Sequence, residues 1–265
     1  MLACPAMRDL DSPDTPSLLR IGRLLFALSV VASGIYQLVT GRYVNLVPVN
    51  PAHLPPAWQP CVLGVLLVLI GLGLLIRKTV SASAATLAVL LLVLFFGFSL
   101  RVALRQASMG YVWVDPLMIL AILGGVGLAA GRRDGSPSSA LDRVFETLSR
   151  FAPWALGAFL AYCGALHFPY AMYVAGLIPP WIPGHMFWTY FAAIALIAGG
   201  IGVVVPQTAR LAATLSGIML FSWLFLVHIP LAISTHTVSE VSRGFQAMQD
   251  SAVAFMLAGA VRRNR

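Results

Sequence analysis

Eight apolar runs, each closed by a short polar or basic break, pattern this chain of 265 residues. They cover about 20–40, 61–76, 82–104, 112–130, 153–174, 185–205, 209–233 and 246–261. At 1.5 Å per residue, most such lengths suit helices that cross about 30 Å of hydrocarbon. Backbone groups in lipid must bond within their own segment, so each run is predicted to be helix. The fold class expected is all-α, a polytopic membrane protein with eight transmembrane helices. Residues 1–19 read as a polar tail. Residues 131–150 read as the one clear linker, holding Arg132, Arg133 and Pro137 before a short amphipathic stretch at 141–148.

The pattern repeats. A shift of 130 positions lays Gly34 on Gly164 and Gln37 on His167. A shift of 129 lays Gly71 and Gly73 on Gly200 and Gly202, Thr79 on Thr208, and Ser99 on His228. With a small insertion, Asp115 falls on Asp250. The proline-rich loop around Trp58 corresponds roughly to the one around Trp181. These matches keep their order, which predicts two four-helix repeats, 20–130 and 151–261. An even number of spans per unit makes them parallel repeats rather than inverted ones.

Composition agrees. The chain is 59% hydrophobic and 10% charged, where a soluble domain carries about a quarter charged residues. Its net charge of +8 does not point to nucleic acid, because the basic residues stand at the ends of apolar runs. With the amino terminus inside, thirteen basic residues fall on the inner side and four (Arg42, Arg101, Arg105 and Arg243) on the outer. Both termini are therefore expected in the cytoplasm and both proline-rich loops outside. Asp9, Asp11 and Asp14, without a basic region directly before an apolar core, argue against a signal peptide. Cys4, Cys61 and Cys163 have no spacing that suggests a disulfide framework or a metal site.

The orientation gathers polar residues. His167, His185, His228 and Asp250 come from four different spans, at similar depth on the outer side. Such groups are costly in lipid and usually face the bundle interior or a water-filled cavity. The expectation is a pocket in the second repeat, floored by Trp188 or Trp223 and covered by the loop from Pro179 to Pro183 with Trp181. Each residue also has a bland reading. His167 can make a structural bond between helices, and His228 can bond a carbonyl freed by Pro230. Asp250 can cap its helix, His185 can be a loop residue at the interface, and the tryptophans can form an interfacial belt. In the first repeat the same places hold Gln37, Ser99 and Asp115, so that repeat reads as scaffold, with Arg101 and Asp115 as a candidate ion pair.

Several of these elements together resemble the DoxX-like membrane protein family. They are the four-span unit, Gly164 to His167, the Pro179–Pro183 loop, Gly199 to Gly202, and His228-Ile229-Pro230. The likeness covers 151–261 well and 20–130 more weakly. It implies a bacterial inner-membrane protein, with some members linked to quinone-dependent oxidation of sulfur compounds. The function expected is a membrane oxidoreductase component. A quinone or small reductant would meet His167 and His228, which move protons, while Asp250 orients one imidazole. Haem b held by the two histidines is the lesser variant. The rival is a non-enzymatic membrane protein: a carrier of lipid or small solutes, or an assembly partner of a membrane or periplasmic protein.

Overall fold

The computed structural model describes residues 17–44, 58–131 and 139–261. Cys4, His53, the polar part of the linker at 132–138, and Arg262, Arg263 and Arg265 lie outside the described residues. Among the described residues the chain is helical, with no strand. We number the helices α1 (Ser17–Thr40), α2 (Trp58–Leu75), α3 (Val80–Arg105), α4 (Val114–Ala130), α5 (Ala140–Leu166), α6 (Ala171–Leu177), α7 (His185–Val204), α8 (Ala209–Thr235) and α9 (Val238–Ala260).

Six stretches are long and apolar enough to cross a membrane: α1, α2, α3, Gly110–Ala130 (which contains α4), α7 and α8. The bent pair α5 and α6 makes a seventh if counted as one span. The eighth predicted run forms α9, which does not meet that test, with Glu240, Arg243, Gln246, Gln249 and Asp250 all in its first thirteen residues. Helix surfaces match a lipid environment. On α1, Ile21, Leu24, Leu28 and Ile35 are exposed, while Leu19, Phe26, Val30 and Gln37 on the opposite face are buried. A solvated protein does not normally carry such faces, whereas lipid tails cover them at no cost.

The helices pack mainly on their sequence neighbours, and α1 closes the circuit against α9. A further contact, α4 against α9, crosses the circuit, with a smaller one of α9 against α5. The first divides the helices into two groups, α1, α2, α3, α4 and α9, and α4, α5, α7, α8 and α9. The shared helices are the most buried: 121–130 of α4 and 249–259 of α9 are buried without a break. From 121 to 130 and from 252 to 259 both are apolar around their circumference, as a helix enclosed by others must be, whereas Gln249, Asp250 and Ser251 are buried polar residues.

Close approach at glycine holds the pairs together. A Cβ on Gly34 would stand 2.6 Å from the Gly64 carbonyl oxygen, and one on Gly164 would stand 2.7 Å from that of Ala193. One on Gly71 would meet the Ala27 oxygen at 2.9 Å, and one on Gly200 the Gly157 oxygen at 2.5 Å. The second member of each pair follows the first by 129 or 130 positions. Thr79 Oγ1 donates to the Gly73 carbonyl at 2.9 Å, and Thr208 Oγ1 to that of Gly202 at 2.8 Å. A π-turn interrupts α3 at Phe95–Ser99 and α8 at Leu224–His228, again 129 positions apart.

One match shifts. A Cβ on Gly127 would meet the Ser149 backbone nitrogen, and one on Gly259 the Leu19 nitrogen. Since Ser149 follows Leu19 by 130, Gly259 is the partner of Gly127, 132 positions later. The same offset sets Asp115 against Ala247, one turn from Asp250.

Two expected boundaries also change. The amphipathic stretch at 141–148 is not a separate linker helix, because α5 runs unbroken from Ala140 through Pro153 to Leu166. A capping box starts it there: Asp142 N–H donates to Ser139 Oγ at 3.0 Å, and Ser139 N–H to Asp142 Oδ2 at 3.1 Å. The fifth span does not run straight to Val174. It breaks after Leu166 and turns by 100° into α6. Pro169 supplies the reason, since it has no N–H and restricts Phe168 before it.

Candidate functional site

Asp250 is the thirteenth residue of α9, with both flanking halves of the helix formed. It therefore does not cap the helix. The cap is Thr237, whose side chain accepts from Glu240 N–H at 3.4 Å. The chain reaches it from His236, an exposed residue whose positive φ of 53° ends α8. Asp250 is only 4% exposed, and among the described residues its Oδ1 has no hydrogen-bond partner. Next to it, Ser251 Oγ donates to the Gly217 carbonyl at 2.9 Å and ties α9 to α8. A buried carboxyl oxygen without a donor is costly in any protein and more so inside a membrane.

Across from it stands α5. Cys163 lies within electrostatic reach of both Asp250 and Asp115. One turn on, His167 caps the end of α5, and its Nδ1 lies 2.7 Å from the Cys163 carbonyl oxygen. His167 is half-buried, at the break between α5 and α6. Tyr162 OH donates to the Gly110 carbonyl at 2.7 Å, which fastens α5 to the turn before α4. Cys163 on α5 is thus within electrostatic reach of Asp250 on α9 and Asp115 on α4, and His167 bonds one turn along α5.

His228 belongs to a different group. It ends the π-turn of α8, its Nδ1 is buried without a partner among the described residues, and it lies within electrostatic reach of Arg243. Arg243 donates to Glu240 Oε1 at 2.7 Å and to Tyr173 OH at 3.1 Å. That arginine joins α9 to α6 and explains how charged residues remain in the first turns of α9. The sequence reading missed this group because Arg243 and Glu240 look like loop residues before an apolar run.

The other expected members do not converge. Trp181 is 64% and Trp188 44% exposed, and His185 is half-buried at the start of α7. Trp188 stacks edge-on with Phe187 and Phe191 in an exposed aromatic group. Trp223 is half-buried and packs against the core. Arg101 and Asp115 are both exposed, and no ion pair joins them among the described residues.

One cavity lies away from these residues. It sits among α1, α2, α3, α4 and α9, has a volume of about 40 Å³, and is lined by Ser33, Gln37 and Gln249 together with aliphatic side chains. None of His167, His185, His228, Asp250, Trp181, Trp188 or Trp223 lines it. In the sequence register described above, Gln37 matches His167 and Leu94 matches Trp223. The bulkier residues stand in the second half, and Gln37 and Leu94 border open space in the first. No side-chain pattern in the sequence announces such a space, because it follows from how the leucines of α2 and α3 meet α1. Among the described residues no group of His, Cys, Asp and Glu is arranged to hold a metal ion.

A family model described as a domain of unknown function (DUF8561) matches residues 156–257. This segment contains His167, His228 and Asp250. No curated protein and no solved structure matches the chain.

Proposed function

We propose that this chain is an eight-span protein of the bacterial inner membrane, built from two like four-helix halves, whose chemistry is proton exchange at Asp250. In this reading it is a DoxX-like component of a quinone-linked oxidoreductase. Asp250 carries the reading: a carboxyl 4% exposed, in the middle of the helix shared by both halves, with an oxygen lacking a partner among the described residues. Ionisable groups so placed in membrane proteins mark proton or substrate paths by default. The repeated glycine contacts and the two π-turns support the two-half arrangement.

The roles follow from position. A quinone gains two electrons and two protons on becoming a quinol. His167, half-buried at the break, exchanges a proton with the headgroup on the outer side. Asp250 exchanges with the interior, close to Cys163. His228 is left out of this set, because it lies within electrostatic reach of Arg243. A positioned acid or base of this kind contributes roughly 10²–10⁴ in rate.

The test is quinone reduction by small sulfur reductants, followed optically on protein reconstituted in liposomes. Wild type should turn over, Asp250→Asn should lose about 100-fold, and His228→Gln should stay near wild type. Full activity in Asp250→Asn would remove the carboxyl from the mechanism. A second reading, a carrier of lipid or small solutes, rests on the cavity of the first half. It predicts no quinone turnover in wild type.

A further inference from the structure

The first-half cavity takes no part in the proton chemistry above. Gln37 reaches it from α1, one turn before the helix ends, and is only 2% exposed. Its Oε1 has no hydrogen-bond partner among the described residues. Ser33, on the same wall, already donates its hydroxyl to the Ser29 carbonyl at 2.8 Å. Gln249 of α9 completes the polar part of the wall. The rest is aliphatic, including Leu67 of α2 and Leu91 and Leu94 of α3.

Three properties of this space select a ligand. It contains a buried acceptor, Gln37 Oε1, that calls for a donor. No charged side chain lines it, so a charged headgroup would lose its hydration without compensation. It is narrow: an engineered apolar cavity that binds benzene measures about 150 Å³, against about 40 Å³ here. A six-membered ring does not fit, whereas the end of an unbranched chain does. A water molecule needs two to four polar partners, and a mostly aliphatic wall offers few.

We propose that this cavity binds the hydroxyl end of an unbranched, neutral single-chain lipid, of which a long-chain primary alcohol is the simplest case. The hydroxyl donates to Gln37 Oε1, and the first carbons lie along Leu67, Leu91 and Leu94. This site stands independently of Asp250 and of any quinone activity.

The experiment uses the full chain in lipid nanodiscs with a photoreactive 1-decanol that carries its diazirine near the hydroxyl. Cross-links are mapped by peptide mass spectrometry, with 1-decanol and n-decane as competitors. The expected result is labelling on α1 and α3, displaced roughly tenfold better by the alcohol than by the alkane, the worth of about one buried hydrogen bond. Gln37→Leu should erase the alcohol's advantage while leaving the melting temperature close to wild type. Leu94→Trp should abolish labelling by occupying the space. Equal competition by decane in wild type would overturn the proposal without any variant. So would labelling confined to other helices, or an unchanged alcohol preference in Gln37→Leu.

Discussion

Two regions of this molecule, the described parts of 27–99 and 157–228, make like contacts and differ in the side chains beside them. In both, glycines bring the first two helices to within a backbone's reach, a threonine closes the turn before the third, and a π-turn interrupts the third near its end. The contents then diverge. The first half keeps Gln37 and Leu94 around open space, and the second has His167 and Trp223 at the matching places. Asp250 sits on the helix that serves both. Packing contacts thus keep a common pattern while the side chains facing inward are free to change, because backbone approach tolerates only glycine and interior volume tolerates many residues.

The comparison breaks most severely at the glycines. Gly200→Leu would drive a side chain into the Gly157 carbonyl, and Gly34→Leu would do the same at Gly64. Each is expected to cost about 3 kcal/mol or more and to remove the monodisperse peak in detergent size-exclusion runs. Similar losses in both would support the likeness of the halves, and a loss in one alone would count against it. Next in size is Trp223→Leu, expected to cost about 2 kcal/mol in thermal melts. Combined with His167→Gln, it should give the second half a space like that of the first, read as new decanol cross-links on α5 and α8. If the double variant takes up no label there, bulk is not what separates the halves.

A smaller effect is expected at the link between α6 and α9. Tyr173→Phe removes the hydroxyl that accepts from Arg243, on a surface where both partners are partly exposed. About 0.5–1 kcal/mol should be lost. Proteolysis in the segment between α5 and α7 should quicken, and the first half should be untouched. Ser139→Ala, which removes the capping box of α5, is expected to cost about 1 kcal/mol or less. Its readout is faster hydrogen exchange in the first turns of α5.

Much of the framework was legible because it is written in residue types with one physical use. Apolar runs of membrane length gave the helices, and Gly34, Gly71, Gly164 and Gly200 gave the register. The breaks were less legible. Glu240 and Arg243 read as loop, yet their mutual bond and the one to Tyr173 let α9 begin at Val238, so that Asp250 moves from a helix end to a helix middle. Pro169 and His167 lay inside an apolar run whose hydropathy gave no sign of a 100° turn. The pocket expected around His167, His185, His228 and Asp250 rested on equal depth in a membrane, which fixes height but not the direction each helix face points. His228 lies within electrostatic reach of Arg243. The cavity was invisible for the opposite reason, since leucines are the least distinctive residues in such a chain.

Proton exchange at Asp250 can be examined without knowing any substrate. A hydrophobic carbodiimide dissolved in the bilayer adds to a protonated carboxyl and leaves a stable N-acylurea of known mass. Treated in native-like membranes and mapped by mass spectrometry, the folded chain is expected to carry this adduct at Asp250, with labelling that declines as pH rises and a clean loss of the adduct in Asp250→Asn. A folded protein that stays unlabelled at Asp250 across the whole pH range would contradict the account.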